Sequence, residues 1–181
     1  MKEMWKINNP HNDDKVIDAC SIFGAMDVSG QCFSGTGVIK AIANMHDRSN
    51  GLGGGFAVYG LYPDFAEHYA FHIMYLSETA RHQTESFLKD NFYIVHDEKV
   101  PTKPTAGIVD APLFWRYFVD IGQQKPPQIT HDDYIVEKVM AINTTIENVF
   151  VFSSGKNMAV FKGVGFPEQI AEFFRLEEYA G

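Results

Sequence analysis

The chain has 181 residues, 45% of them hydrophobic and 21% charged, a balance that suits one globular domain with its own core and argues against intrinsic disorder. Its 15 basic and 23 acidic side chains leave a net charge of −8; no basic run occurs, so a nucleic-acid partner is disfavoured, because phosphate neutralisation needs clustered Lys and Arg. No stretch approaches the roughly 18 apolar residues of a membrane helix, and two cysteines make no disulfide framework, so a cytoplasmic setting and no membrane contact are expected.

Residues 1–19 form a polar arm with Asn8-Asn9-Pro10 and Asn12-Asp13-Asp14 and no apolar block, unlike a secretory signal. Ordered packing is expected from Cys20. Cys20–Val28 reads as a strand and Ser29-Gly30-Gln31 as a turn. Thr36–Arg48 carries Val38, Ile39, Ile42 and Met45 at helical spacing, with Ser34 or Thr36 as its cap. The glycines of Asn50–Gly55 end it.

Phe56–Leu61 and His68–Leu76 read as strands joined by Tyr62-Pro63-Asp64. Ser77–Asn91 reads as a helix capped by Ser77, Phe92–Val95 as a strand, Val100–Pro112 as a loop with three prolines, and Leu113–Ile121 as an aromatic strand. Thr130–Asn143 is a helix with Thr130 three residues before Asp133, a capping arrangement. Val149–Ser153 and Met158–Lys162 flank a hairpin turn at Ser154–Asn157. Pro167 starts a last helix, Pro167–Leu176, whose buried stripe is Ile170, Phe173 and Phe174. Hairpins and helices intersperse without regular alternation, which predicts an α+β fold.

Several chemistries fail on their residues. Gly53-Gly54-Gly55 lacks the Lys-Ser/Thr ending of a phosphate-binding loop, and Gly51-x-Gly53 lacks the third glycine of the dinucleotide fingerprint. There is no Gly-x-Ser-x-Gly elbow. His68 and His72 fall four apart on a strand, a separation of roughly 13 Å and too far for one ion, so they read as sheet-face histidines. His46, His82, His96 and His131 are scattered and read as solvated or capping groups. No metal and no cofactor are expected.

Two features remain. One is Cys20-Ser21-Ile22-Phe23-Gly24, directly after the polar arm. The other is His46-Asp47-Arg48-Ser49-Asn50-Gly51-Leu52-Gly53-Gly54-Gly55. Together they resemble the class II glutamine amidotransferases, N-terminal-nucleophile hydrolases whose mature chains begin with Cys-x-Ile-Phe-Gly and carry an Arg-Gly segment after the first helix. The stretches Asn50–Tyr62 and Phe152–Tyr179 are most similar to the stand-alone amidotransferase subunit of glutamate-synthase-like and N-methylglutamate synthase enzymes. The resemblance runs from Cys20 to Gly181.

That resemblance implies a four-layer αββα sandwich with antiparallel sheets. It makes Cys20 the nucleophile, which attacks the side-chain amide of glutamine, expels ammonia and leaves a thioester that water opens to glutamate. The ammonia passes to a glutamate-synthase-like synthase subunit, in a homo- or hetero-oligomer. The α-amino group of an N-terminal cysteine titrates near ~7.7–8.0 and can serve as the base for its own thiol. The nitrogen of Cys20 is an amide while residue 19 precedes it, so residues 1–19 are implied to be a propeptide cut between Ala19 and Cys20. Arg48, with Asn50 and Gly51, is implied to support the loop beside the nucleophile; Ser49 stands where the family usually has Gly. Cys32 reads as incidental.

The family site also uses an Arg-Phe-Pro/Ser-Thr-Asn loop for the substrate carboxylate, an oxyanion-hole Asn-Gly and a later Asp for the substrate amine. None of these is in the sequence, and the arginine loop would begin just past Tyr179. Residues 20–181 are therefore expected to be the N-terminal part of an amidotransferase domain. The alternatives are a catalytically incomplete half-domain that binds or scaffolds a partner, and a small-ligand module built on the aromatic strands.

Overall fold

The computed structural model describes residues 20–49, 51–123 and 125–179. The fold is α+β with antiparallel sheets. Its centre is a four-stranded sheet in the order β3-β4-β2-β5. These strands are β2 (Tyr69–Tyr75), β3 (Phe92–Lys99), β4 (Leu113–Ile121) and β5 (Val149–Ser153). All its ladders are antiparallel, with His72 opposite Arg116, and Arg116 opposite Glu98.

Strand β2 is buried on both faces, which is why it reads as a nearly continuous apolar run. Tyr69, Phe71, Ile73 and Tyr75 point to one side, where α2 (Glu78–Asn91) and α3 (His131–Thr145) cover them through Ala80, Leu88, Tyr134, Ile135 and Ile142. Both helices start as their sequences dictate. Ser77 Oγ accepts from the Ala80 amide at 3.2 Å. Thr130 Oγ1 accepts from the Asp133 amide at 3.1 Å and donates to the Asp133 carboxylate at 2.7 Å.

The opposite face meets a two-stranded sheet of β1 (Gly54–Tyr59) and β6 (Met158–Gly163), paired with Phe56 opposite Phe161. Phe161 and Ala159 share a core with Ala70, Phe114 and Phe118 of the four-stranded sheet. Helix α4 (Pro167–Phe173) closes that core with Ile170, Phe173 and the following Phe174. Helix α1 (Thr36–Ala43) lies against α4. The layers thus run from α2 and α3, through the four-stranded sheet, to β1–β6 with α4 and α1 beside it. Among the described residues no helix is long and apolar enough to cross a membrane.

Four local expectations are corrected. Cys20–Val28 is not a strand: it has no ladder partner among the described residues, and Ile22, Met26 and Val28 are 91%, 82% and 92% exposed. A strand exists only through its pairing, which apolar alternation alone does not supply. The helix from Thr36 stops at Ala43, with Asn44 as its C-cap, and His46–Arg48 is a separate 3₁₀ turn. Strand β3 continues past Val95 to Lys99, its polar end held at the sheet edge by β4. Strands β5 and β6 do not form a hairpin ladder; β5 pairs with β2 and β6 with β1. The chain crosses the start of β2 between them, where Gly155 O accepts from the Ala70 amide at 2.9 Å and Lys156 bridges Tyr69.

Candidate functional site

The segment that follows α1 is fastened to the start of α4. Its first contact is His46, whose Nδ1 donates to Glu168 Oε1 at 2.6 Å. The His46 imidazole also stacks on Phe166, with ring centroids 3.9 Å apart and planes 22° from parallel. Gly51 takes φ +70°, where a side chain is strained, and a Cβ there would lie 3.2 Å from the Phe166 ring. The Phe166 ring therefore touches one residue before Arg48 and one after it. Arg48 itself ends the 3₁₀ turn with an exposed side chain. Asn50 lies outside the described residues. His46 is thus a tethered group, not a freely solvated one.

Cys20 opens the described residues as an exposed free thiol. The chain after it runs past β1 without pairing and leaves a cleft of about 480 Å³. Phe23, Met26, Val38, Phe56, Tyr59 and Tyr179 are among its walls. Cys32 sits at its edge with Sγ 3.9 Å from Gly60 O. A larger cleft of about 780 Å³ lies between the Gly107–Pro112 loop, β6 and α4, floored by Phe114, Phe152, Phe173 and Phe174. Cys20 and the residues just after it do not line it.

A polar row crosses the buried face of the four-stranded sheet. Arg116, only 8% exposed, donates to Glu98 Oε1 from Nε at 2.8 Å and from a terminal nitrogen at 2.7 Å. Its other terminal nitrogen donates to Tyr179 Oη at 2.9 Å and to Tyr62 Oη at 3.4 Å. Arg116 can only donate, so the Tyr62 hydroxyl proton is free to point at His72 Nε2, 2.6 Å away. That requires a neutral His72 with its proton on Nδ1. Burial, with Arg116 nearby, pushes His72 down to about 3 and meets the requirement. Burial likewise raises Tyr62 well above an ordinary phenol.

Sequence reading missed Phe166, Glu168 and this row. A lone arginine in the aromatic strand Leu113–Ile121 was a legible signal for the row, since a charge in a buried strand needs partners. Nothing local announces Glu168: its partner is His46, 122 positions earlier. His68, expected on the sheet face, lies just before β2 and bonds Asp120 at 2.7 Å.

No family model matches the chain. Over 172 residues it is 51% identical to an uncharacterized protein of Archaeoglobus fulgidus, an alignment covering 93% of this chain and 46% of that protein. The chain spans about half the length of the relative it matches.

Proposed function

We propose that residues 20–181 are the nucleophile-bearing part of a class II glutamine amidotransferase domain of the glutamate-synthase-like kind. The carrying observation is that, in the stretch resembling the family's Arg-Gly segment, Gly51 takes the left-handed region with the Phe166 ring against it. An exposed Cys20 thiol and two antiparallel sheets packed face to face, with helices on the far side of one and beside the other, fit the αββα sandwich of that family. Removal of residues 1–19 would free the Cys20 amine to take the thiol proton and hand it to departing ammonia. The grip on the substrate carboxylate and the oxyanion hole would come from polypeptide beyond these residues, and the ammonia would go to a synthase partner.

Intact-mass analysis tests processing: a loss equal to residues 1–19 is expected. Labelling of Cys20 by a glutamine-analogue diazoketone once the polypeptide that supplies the substrate grip is present, abolished in Cys20→Ala, is the second expected result. An intact Met1 together with an unlabelled Cys20 sinks the catalytic reading. Those results would favour the second reading, a scaffold half-domain, which has its own support in the exposed apolar side chains of Ile22, Met26 and Val28.

A further inference from the structure

We infer that His46, Phe166 and Glu168 are positioning residues that lock the Arg48 segment onto the start of α4, an assignment that rests on the amidotransferase reading only for its catalytic consequence. The contacts bracket Arg48 in sequence. Phe166 stacks on His46 and abuts Gly51, so a single ring fixes the chain two residues before Arg48 and three after it. The carboxylate of Glu168 accepts a hydrogen bond from His46 Nδ1 at 2.6 Å, which sets the imidazole plane against that ring.

The ring is itself held. The Phe166 amide donates to Gln169 Oε1 at 3.0 Å, and Gln169 Nε2 donates to Ala106 O at 3.0 Å. This chain of contacts ties the Arg48 segment through α4 to the proline-rich loop before β4. Glu168 Oε2 is buried with no hydrogen-bond partner among the described residues. A buried carboxylate oxygen without a donor is costly, and the other oxygen of the same carboxylate is the one bonded to His46. The pair needs Gly51 as well, because any side chain there would press on the Phe166 ring and strain the backbone.

The test is amide hydrogen exchange on the full chain, with Cys20 labelling by the diazoketone, in the presence of the polypeptide that supplies the substrate grip, read alongside. In Phe166→Ala and Glu168→Ala the amides of Arg48, Ser49, Gly51 and Leu52 are expected to exchange at least ~10-fold faster, while those of β2 and β4 keep their protection. Glu168→Gln, which still offers an oxygen to His46 Nδ1, is expected to stay within about threefold of the unaltered protein. Labelling of Cys20 should fall at least ~10-fold in the alanine variants and recover in Glu168→Gln. Unchanged exchange of the Arg48 segment in either alanine variant overturns the inference. So does loss of protection throughout the sheets, which would make the cluster a general staple of the fold. If the unaltered protein is not labelled at all, the amidotransferase reading fails, and the lock stands or falls on exchange alone.

Discussion

His72 is a histidine that the fold keeps neutral. It lies on β2 facing the second layer, accepts from Tyr62 Oη at 2.6 Å and stands opposite the cationic Arg116. Its folded value of about 3 lies below the 6.5 of an exposed imidazole. Between those two values the unfolded chain binds a proton that the folded chain refuses, so stability is full above about pH 6.5 and drains away as pH falls towards 3. The slope from this one group is at most about 1.4 kcal/mol per pH unit. Urea midpoints measured at pH 7.5 and pH 5 should therefore differ in favour of pH 7.5. The gap should narrow in His72→Gln, whose side-chain oxygen can take the Tyr62 proton without titrating. Arg116→Leu is expected to lower stability by about 1–3 kcal/mol in urea titration, since it removes the donor to the Tyr179 and Tyr62 hydroxyls, while Glu98, 39% exposed, can turn to solvent.

At the scale of elements, the caps and the crossings behave differently. Ser77 and Thr130 act through their own neighbours three residues on, so Ser77→Ala and Thr130→Ala should each lower stability by about 1 kcal/mol in thermal or urea unfolding. The crossing from β5 to β6 depends instead on a distant partner. Asn157 sits at φ +49°, and its Oδ1 accepts from the Tyr62 amide at 2.8 Å while its carbonyl accepts from Gly60 at 2.8 Å. Asn157→Gly keeps the backbone conformation and removes only the side-chain bond, at an expected cost of about 1 kcal/mol. Asn157→Ala should cost more, because it adds left-handed strain to the same loss. A reversed ranking of these two variants by urea midpoint would show that the turn, not the Tyr62 bond, governs this crossing.

At the scale of the whole molecule, the surface is unevenly finished. The four-stranded sheet is covered on both faces, but Ile22, Met26 and Val28 stand in solvent beside a cleft. Exposed apolar side chains beside a cleft can bind hydrophobic dyes. Anilinonaphthalene sulfonate fluorescence should be appreciable in the folded protein and should drop at least ~2-fold when Ile22 and Val28 are both changed to Thr. The melting temperature should hardly move, because exposed side chains usually contribute within about 0.5 kcal/mol. An unchanged signal would place the dye in the larger Phe-lined cleft.

Most of the fold was legible in the chain because its signals are local. Helix α2, strand β4 and the two side-chain caps follow from periodicity and hydrogen bonds spanning three or four residues. The α+β class followed from how such segments intersperse. The readings that failed were those depending on a partner. Cys20–Val28 has the composition of a strand and no ladder to join among the described residues, and β5 and β6 have the spacing of a hairpin but pair in different sheets. The candidate site divides the same way. Cys20, Arg48 and Gly51 were singled out by the resemblance of their stretches to a known family, while His46 acquired its contacts only when the fold brought Glu168 and Phe166 to it across more than a hundred residues. By itself the sequence determined most of the elements and the Ser77 and Thr130 caps, because those rest on short-range sterics and hydrogen bonding, whereas the Ser34 or Thr36 cap expected for α1 gives way to Gly35 with no side-chain capping bond. Only the tertiary structure decided which strands pair, which charges are buried together and what holds the Arg48 segment, because these are set by contacts whose members are neighbours in space alone.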